Sequence, residues 1–271
     1  MRTIGSHRSS ACLALQAAAP GDSWTMMWAL LAAAGLWAGA QNALAGGGSF
    51  VTLPTLILSG LDPRAANITS TVALFPGQVT TGLAGRRLVS GGERLSFRAL
   101  FLISLVGGAA GALLLLATPP TFFARLVPWL VLFATSLFAW GSFLRRRGAA
   151  GAGMGPLGAG AAQFLIAVYG GYFGGGIGFL MLAALTIAGL PVRAAGATKN
   201  ALAAVMNASA VGIFIFSPEV RWLSALAVGA GAMAGGLVGA WLLRWVNETA
   251  LRIGVIVLGV ALTAGLFLRT P

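Results

Sequence analysis

The stretch Thr198-Lys199-Asn200 places one charged and two polar side chains together within an apolar region, and Arg193 precedes it. Lys199 is the only lysine of the chain. A small anion held away from water requires hydrogen-bond donors and positive charge, which ammonium, guanidinium, hydroxyl and amide groups supply. These residue types predict an anion-binding site. The competing interpretation of Lys199 is a side chain that extends from a helix end to the membrane interface.

A helix N-terminus would add to such a site, because its first backbone N–H groups are free and carry partial positive charge. We place Thr198 in the first turn of a helical segment 195–216. We place Thr69 and Ser70 in the first turn of a segment 66–85. Their hydroxyl groups are expected to cap the helix or to contact the anion.

Other kinds of site chemistry lack the residues that they need. Cys12 and His7 are the only cysteine and histidine, so one chain offers no disulfide, thiolate metal site or histidine-based triad. The sequence contains no G-x-x-x-x-G-K-[ST] loop for nucleotide phosphates. The five acidic residues all fall in or beside expected loops: Asp22, Asp62, Glu93, Glu219 and Glu248. We therefore expect no enzyme activity, no metal and no cofactor.

The composition indicates that most of this chain is embedded in a membrane. Of its 271 residues, 58% are hydrophobic and 8% are charged, and the mean hydropathy is +0.90. Soluble domains carry about 25% charged residues, so this pattern predicts an all-α polytopic integral membrane protein. The net charge of +12 is explained by the positive-inside rule rather than by nucleic-acid binding, because the arginines lie between the apolar segments.

Ten apolar segments are predicted to position the polar residues: 24–45, 49–61, 66–85, 96–117, 122–144, 157–173, 177–190, 195–216, 221–243 and 249–268. A helix needs about 20 residues to cross a bilayer, and segments 49–61 and 177–190 are shorter. Each follows a glycine triplet, Gly46-Gly47-Gly48 or Gly174-Gly175-Gly176. Because glycine runs break helices, we predict two broken or re-entrant helices whose irregular backbone is shielded inside the bundle.

The two short segments belong to an internal repeat. "GLDPRAANIT" (Gly60 to Thr69) aligns without gaps with "GLPVRAAGAT" (Gly189 to Thr198), at an offset of 129 residues. This alignment predicts two homologous halves, 24–144 and 157–271, joined by a basic linker, 145–156.

An N-terminal extension, 1–23, precedes the first half and has three interpretations. It is a weak signal peptide, a disordered extension, or an upstream artefact if Met26 or Met27 is the true start. The short apolar run interrupted by Gln16 favours the last two.

Polar side chains form a stripe on each of two equivalent segments. With about 100° of rotation per residue, one face of segment 66–85 holds Asn67, Ser70, Thr71, Gln78 and Thr81. One face of segment 195–216 holds Asn200 and Asn207, and the repeat aligns Thr71 with Asn200 and Gln78 with Asn207. Membrane helices also pack through polar residues. Two coinciding stripes beside two glycine breaks nevertheless favour a substrate pathway.

Two blocks of the sequence resemble the sulfite exporter TauE/SafE family of membrane permeases. They are "AGGGSFVTLPTLILSGLDPRAANITST" (Ala45 to Thr71) and "GGYFGGGIGFLMLAALTIAGLPVRAAGATKN" (Gly170 to Asn200). The resemblance implies transport, and specifically export, of sulfite, organosulfonates or related sulfur-containing or carboxylate anions. It also implies a multi-pass protein of the bacterial inner membrane.

By position, the resemblance points to the two glycine triplets, to Thr69 and Ser70 after Arg64, and to Thr198, Lys199 and Asn200 after Arg193. The halves differ at one place, since Lys199 and Asn200 stand where the first half has Ser70 and Thr71. We therefore expect an asymmetric substrate site. The resemblance does not identify the anion.

The positive-inside rule places the Arg86–Arg98 and Arg145–Arg147 loops in the cytoplasm. The result is the same whether each short segment counts as a crossing or each broken pair counts as one. Ten crossings make the halves inverted, and eight make them parallel. We favour inverted repeats because segment 24–45 is long enough to cross alone.

The leading functional prediction is an anion permease. The alternative is a membrane subunit that assembles with partner proteins and transports nothing. The expected partners are the lipid bilayer and a small anionic substrate, and nucleic acid is not expected. Self-association into a homo-oligomer stays open.

Overall fold

The computed structural model describes residues 20–44, 46–92, 95–139, 155–242 and 248–269, and helices dominate this part of the chain. The helices of the first half are α1 (Pro20–Leu44), α2 (Ser49–Leu58), α3 (Pro63–Ala84), α4 (Phe97–Ala117) and α5 (Pro120–Ala139). Those of the second half are α6 (Pro156–Tyr172), α7 (Ile177–Ile187), α8 (Val192–Phe214), α9 (Trp222–Leu242) and α10 (Glu248–Arg269). A short 3-10 turn, Arg86–Leu88, follows α3. The described residues contain no β-strand, so the all-α prediction is confirmed for them.

Three helices begin three or more residues earlier than predicted. Helix α1 begins at Pro20, four residues before the expected start at 24 and inside the predicted extension 1–23. Helix α3 begins at Pro63 and α8 at Val192, three residues before the expected starts at 66 and 195. The Asp62 carboxylate accepts hydrogen bonds from the backbone N–H groups of Arg64 and Ala65, at 3.0 and 3.1 Å. An aspartate cap followed by proline at the first position is a strong start signal.

The earlier starts change the position of the predicted anion contacts. Thr69 and Thr198 are the seventh residues of α3 and α8, almost two turns from each start at about 3.6 residues per turn. The expectation that Thr69, Ser70 and Thr198 lie in first turns is therefore wrong. The free N–H groups of the first turn of α8 therefore lie too far from Lys199 to bind the same anion.

Both glycine triplets interrupt the helical backbone. Gly46 and Gly47 have φ angles of +88° and +84°, and Gly174 and Gly176 have +76° and +74°. Glycine adopts this left-handed region without the steric cost that a Cβ atom imposes. The chain therefore leaves the helical conformation between α1 and α2, and again between α6 and α7.

Helix packing between the halves comes in matched pairs. Helix α1 packs against α9, and its counterpart α6 packs against α4. Likewise α3 contacts α9, and α8 contacts α4. The remaining long contacts join α3 to its own counterpart α8, and α5 to α10. Exchanging the two halves therefore reproduces the same set of major contacts.

Glycines allow the α1–α9 and α4–α6 pairs to approach closely. A Cβ atom added to Gly35 or Gly39 would collide with the backbone of Val228 or Ala232. The same is true of Gly171 against Gly108 in the other pair. Because the contacts advance in the same direction along both helices of each pair, α1 runs parallel to α9 and α6 runs parallel to α4.

Helices α3 and α8, in contrast, run antiparallel. A Cβ atom added to Gly85 would lie 3.3 Å from the Cβ of Ala197, and one added to Gly82 would lie 3.5 Å from the Cβ of Ala204. Further toward the start of α3, Gln78 contacts Asn207. Residues nearer the start of α3 thus contact residues nearer the end of α8.

The outer surface of the bundle is apolar. Large hydrophobic side chains such as Leu102, Trp129 and Leu226 are exposed on α4, α5 and α9. In the described part of the chain, three helical stretches are long and apolar enough to cross a bilayer: Phe97–Ala117, Pro120–Leu137 and Trp222–Gly239. Contiguous exposed apolar surface of this kind requires lipid to cover it.

Candidate functional site

The two glycine breaks lie next to each other in the structure. A Cβ atom added to Gly174 would lie 3.9 Å from the hydroxyl oxygens of both Ser49 and Thr71. A cavity of about 40 Å³ opens at this place. Residues of the first half that line it are Asn42, Gly46, Gly47, Ser49, Gln78 and Thr81. Residues of the second half that line it are Gly174, Ile177, Gly178, Lys199, Asn200 and Ala203.

The size of the cavity limits what it can hold. One water molecule needs roughly 10–15 Å³ of such space, and the cavity offers about 40 Å³. It has room for a few water molecules or for one anion of a few non-hydrogen atoms.

Among the residues that the structure describes, Lys199 is the only charged one in the cavity lining. Its side chain belongs to α8 and is 7% exposed. It forms no hydrogen bond or ion pair with any residue that the structure describes, and no acidic residue lines the cavity. An ammonium group in such surroundings is costly unless an anion or water compensates it. The cavity therefore has the electrostatic character of an anion site.

Gln78 enters the cavity lining from α3 and is held by α8. Its Oε1 accepts a hydrogen bond of 2.5 Å from Nδ2 of Asn207. Asn207 is buried, does not line the cavity, and its Oδ1 has no partner among the described residues. The pair links the two halves directly beside the cavity.

Gln41 and Asn42 hold the first glycine break in shape. The Gln41 side-chain amide donates to the carbonyl oxygen of Gly47 at 3.1 Å and to that of Gly46 at 3.5 Å. Its own Oε1 accepts from the indole N–H of Trp37 at 3.1 Å. Asn42 Oδ1 accepts from the backbone N–H of Gly48 at 2.7 Å.

The structure brings six of the residues predicted from the sequence to the cavity lining: Gly46, Gly47, Gln78, Gly174, Lys199 and Asn200. Others adjoin it without lining it. Gly48, Gly175 and Gly176 complete the breaks, and the Thr71 hydroxyl donates to the carbonyl oxygen of Asn67 at 2.9 Å.

Several predicted residues instead bind neighbouring backbone or side chains. The Asn67 amide donates to the Tyr172 carbonyl oxygen at 3.0 Å, and the Ser70 and Thr52 hydroxyls lie 2.6 Å apart. Thr69 accepts from the backbone N–H of Arg221 at 3.1 Å. Thr198 accepts from the N–H of Ser90 at 3.1 Å and donates to its carbonyl oxygen at 3.0 Å. These five hydrogen bonds fix the helices around the cavity.

The two predicted arginines lie away from the cavity. Arg64 forms an ion pair with Glu219, in which Nε donates to Oε2 at 2.9 Å, and it also donates to the carbonyl oxygen of Thr118. It precedes Gln78 by 14 residues in α3, a rise of about 21 Å at 1.5 Å per residue. Arg193 is exposed near the start of α8.

Sequence reasoning overlooked several residues of the site. Asn42 and Ser49 line the cavity, and Gln41 binds its glycine carbonyls. The polar pair Gln41-Asn42 near the end of an apolar segment, shortly before a glycine triplet, was the signal for two of them. Thr81, which the sequence placed on the polar stripe of α3 but not among the site residues, lines the cavity as well.

Comparison with known proteins identifies the relatives of this chain. The family model "Sulfite exporter TauE/SafE" matches residues 31–266. A "Probable membrane transporter protein" of Haemophilus influenzae is 27% identical over 244 residues, covering 87% of this chain and 92% of the relative. The "Probable membrane transporter protein ORF9" of a Sinorhizobium species is 30% identical over 228 residues, covering 78% and 81%.

A third relative is the "Probable membrane transporter protein YfcA" of Escherichia coli. It is 26% identical over 237 residues, which cover 84% of this chain and 85% of the relative. No solved structure matches the chain significantly.

Proposed function

Because this chain belongs to the sulfite exporter TauE/SafE family of membrane permeases, we propose that it exports a small anion across the bacterial inner membrane. Sulfite, an organosulfonate or a related sulfur-containing or carboxylate anion is the proposed cargo. The anion occupies the cavity between the two glycine breaks during transport.

One observation carries this proposal: Lys199 is buried at the cavity without an acidic partner among the described residues. A protein that transported cations through this cavity would place the ammonium group against its cargo. A bound anion, in contrast, compensates the charge of Lys199 in a low-dielectric environment.

The size of the cavity favours sulfite among the candidate anions. Sulfite has four non-hydrogen atoms, and an organosulfonate adds a carbon chain. A cavity of about 40 Å³ accommodates the smaller ion, whereas a longer sulfonate requires the bundle to open.

We further propose that the halves are inverted repeats, with the two broken helices meeting near the membrane midplane. The antiparallel arrangement of α3 and α8, indicated by the contacts of Gly82 and Gly85, supports this proposal. Transporters built from inverted repeats bind substrate at such interfaces and expose it alternately to the two sides.

The same arrangement supports a cytoplasmic position for the Arg86–Arg98 loop. Ser90 in this loop binds Thr198 near the start of α8, so Arg193 and the arginines of the loop lie at one end of the bundle. Their collection at one end agrees with the positive-inside rule. The Arg145–Arg147 linker lies outside the described residues.

Flux into proteoliposomes tests the proposed function. Purified wild-type protein is expected to move radiolabelled sulfite, and Lys199→Met is expected to raise the KM by about tenfold to a hundredfold. This range follows from about 1.5–3 kcal/mol for a hydrogen bond to a charged group. Arg193→Met is the matched control, because it removes an exposed positive charge from the same helix.

The outcomes separate the alternatives. Absence of flux of any small anion in the wild type would contradict the permease proposal and favour the non-transporting subunit. Equal KM values for wild type and a well-folded Lys199→Met variant would remove Lys199 from the site. Loss of flux in Arg193→Met to the same degree would show that net charge, rather than the cavity, is responsible.

A further inference from the structure

The first glycine break forms part of the cavity lining. Gly46 and Gly47 line the cavity, and their backbone is not helical. Carbonyl oxygens released from a helix attract cations and repel anions, as they do in the cation sites of other broken helices. An anion site at this break therefore requires that these oxygens accept hydrogen bonds from groups of the protein.

Gln41 donates hydrogen bonds to the carbonyl oxygens of both glycines, and the oxygen of Gly47 also accepts from the backbone N–H of Phe50 at 2.9 Å. Its side-chain amide nitrogen donates to the carbonyl oxygens of Gly47, at 3.1 Å, and Gly46, at 3.5 Å. Gln41 is 1% exposed and is not part of the cavity lining. It thus acts from behind the break.

The chemistry of its neighbours fixes the orientation of the Gln41 amide. The indole N–H of Trp37 can only donate, and it binds Oε1 of Gln41 at 3.1 Å. Backbone carbonyl oxygens can only accept, so the amide nitrogen of Gln41 must face Gly46 and Gly47. A reversed amide would place oxygen against oxygen.

Two amides of the cavity lining are oriented in the same sense. Asn42 Oδ1 is occupied by the backbone N–H of Gly48, and Gln78 Oε1 is occupied by Asn207. The side-chain NH₂ groups of Asn42 and Gln78 therefore remain as hydrogen-bond donors for an anion. Reversing the Gln78–Asn207 pair would leave a buried amide donor of Asn207 without a partner, and orphaned buried donors are rarer than orphaned acceptors.

We propose that Gln41 is a positioning residue that makes this cavity selective for anions over cations, by covering the carbonyl oxygens of Gly46 and Gly47. The cavity then presents the Lys199 ammonium and the amide groups of Asn42 and Gln78. The inference rests on the proposed function, because it concerns the selectivity of the same site.

The second half shows that the break itself does not need a glutamine. Aligning the two glycine triplets, at an offset of 128 residues, places Tyr169 at the position of Gln41, yet the chain still leaves the helical conformation at Gly174 and Gly176. A purely structural requirement would apply to both breaks. The asymmetry therefore points to a role in binding.

The test compares Gln41→Leu with Gln163→Leu in purified, detergent-solubilised protein. Gln163 is also a buried helical glutamine, and its amide donates to the Ser104 hydroxyl at 2.8 Å, away from the cavity lining. Binding of sulfite, acetate and nitrate is measured by calorimetry, and binding of ²²Na⁺ by equilibrium dialysis. Gln41→Leu is expected to weaken anion binding about tenfold, or about 1.4 kcal/mol, because the uncovered carbonyl oxygens repel the anion, and to gain measurable Na⁺ binding.

Gln163→Leu is expected to change neither property. Should Gln41→Leu fail to fold, Trp37→Phe removes only the donor that orients Gln41 and is expected to shift both properties in the same direction, by less. Unchanged anion and Na⁺ binding in a folded variant at either position would overturn the inference and leave the permease proposal intact. Equal changes in Gln163→Leu would overturn it as well.

Wild-type behaviour separates the two proposals further. A wild-type protein that binds acetate or nitrate but not sulfite would overturn the choice of sulfite, and the variants are then compared on the anion that binds. A wild type that binds none of the three anions would overturn both the inference and the proposed function.

Discussion

Gln78 accepts a hydrogen bond from Asn207, the residue that the internal repeat aligns with it 129 positions later in the chain. The contact joins the two predicted halves of the chain. The cavity adjoins this contact, so the proposed substrate site lies where the two halves meet.

The Gln78–Asn207 pair is expected to act as a unit in transport. Gln78→Leu removes an amide donor from the cavity, and Asn207→Leu releases the amide that it orients, so each variant should raise the KM for sulfite severalfold. The double variant should be no worse than Gln78→Leu alone, because Asn207 acts through Gln78. Proteoliposome flux measures all four proteins.

The Ser104–Gln163 pair supplies the control for this cycle. It also links two helices through one side-chain hydrogen bond, at 2.8 Å, but neither residue lines the cavity. Ser104→Ala and Gln163→Leu should leave the KM unchanged. Additive effects of Gln78→Leu and Asn207→Leu would contradict the proposed coupling.

Lys199→Arg is expected to impair transport although it keeps the positive charge. The guanidinium group is larger than the ammonium group and its planar geometry differs, and a cavity of about 40 Å³ leaves little space for it. We expect the maximal rate and the sulfite affinity to fall together, while the melting temperature changes little. Arg193→Lys, at an exposed position, is the control. Full activity of Lys199→Arg would show that charge alone matters there.

Cysteine labelling can decide the orientation of the two halves. Ser59 and Ala188 directly follow the short helices α2 and α7 at equivalent positions of the repeat, and both are partly exposed. In a Cys12→Ser background, Ala188→Cys should react with an impermeant maleimide from the cytoplasmic side, and Ser59→Cys from the periplasmic side. Labelling of both from one side would contradict inverted repeats and favour parallel ones.

Neighbouring glycines of α9 should differ sharply in their tolerance of alanine. A Cβ atom at Gly235 would collide with the carbonyl oxygen of Leu36, whereas one at Gly236 would meet no atom within 4 Å. Gly235→Ala should therefore separate α1 from α9 and lower the melting temperature. Gly236→Ala should leave it unchanged or raise it slightly, because alanine favours helix by about 1 kcal/mol over glycine. Thermal unfolding in detergent measures both, and equal stability of the two variants would contradict the close packing.

The helices were predictable from the sequence because their signals are local. Apolar length, glycine triplets and the spacing of arginines fall within single segments, and all ten predicted segments correspond to helices. The starts of α3 and α8 were missed by three residues because apolar content alone set those bounds. The cap at Asp62 and the proline at position 63 lie just outside the apolar run.

The internal repeat also allowed part of the site to be predicted. Gly46, Gly174, Gln78 and Asn200 were all predicted from repeated breaks and stripes, and all line the cavity. Periodicity could place these residues on one face of a helix, since that property depends only on the helical repeat.

Only the tertiary structure decided which polar residues face the cavity and which are occupied elsewhere. Arg64 and Arg193 are equivalent in the repeat, yet Arg64 pairs with Glu219, 155 residues away, and Arg193 is exposed. Likewise, Gln41 turns its amide toward the glycine carbonyls because Trp37 occupies its oxygen. Such choices depend on which donors and acceptors packing brings within about 3 Å of each other, a distance that no spacing along the chain encodes.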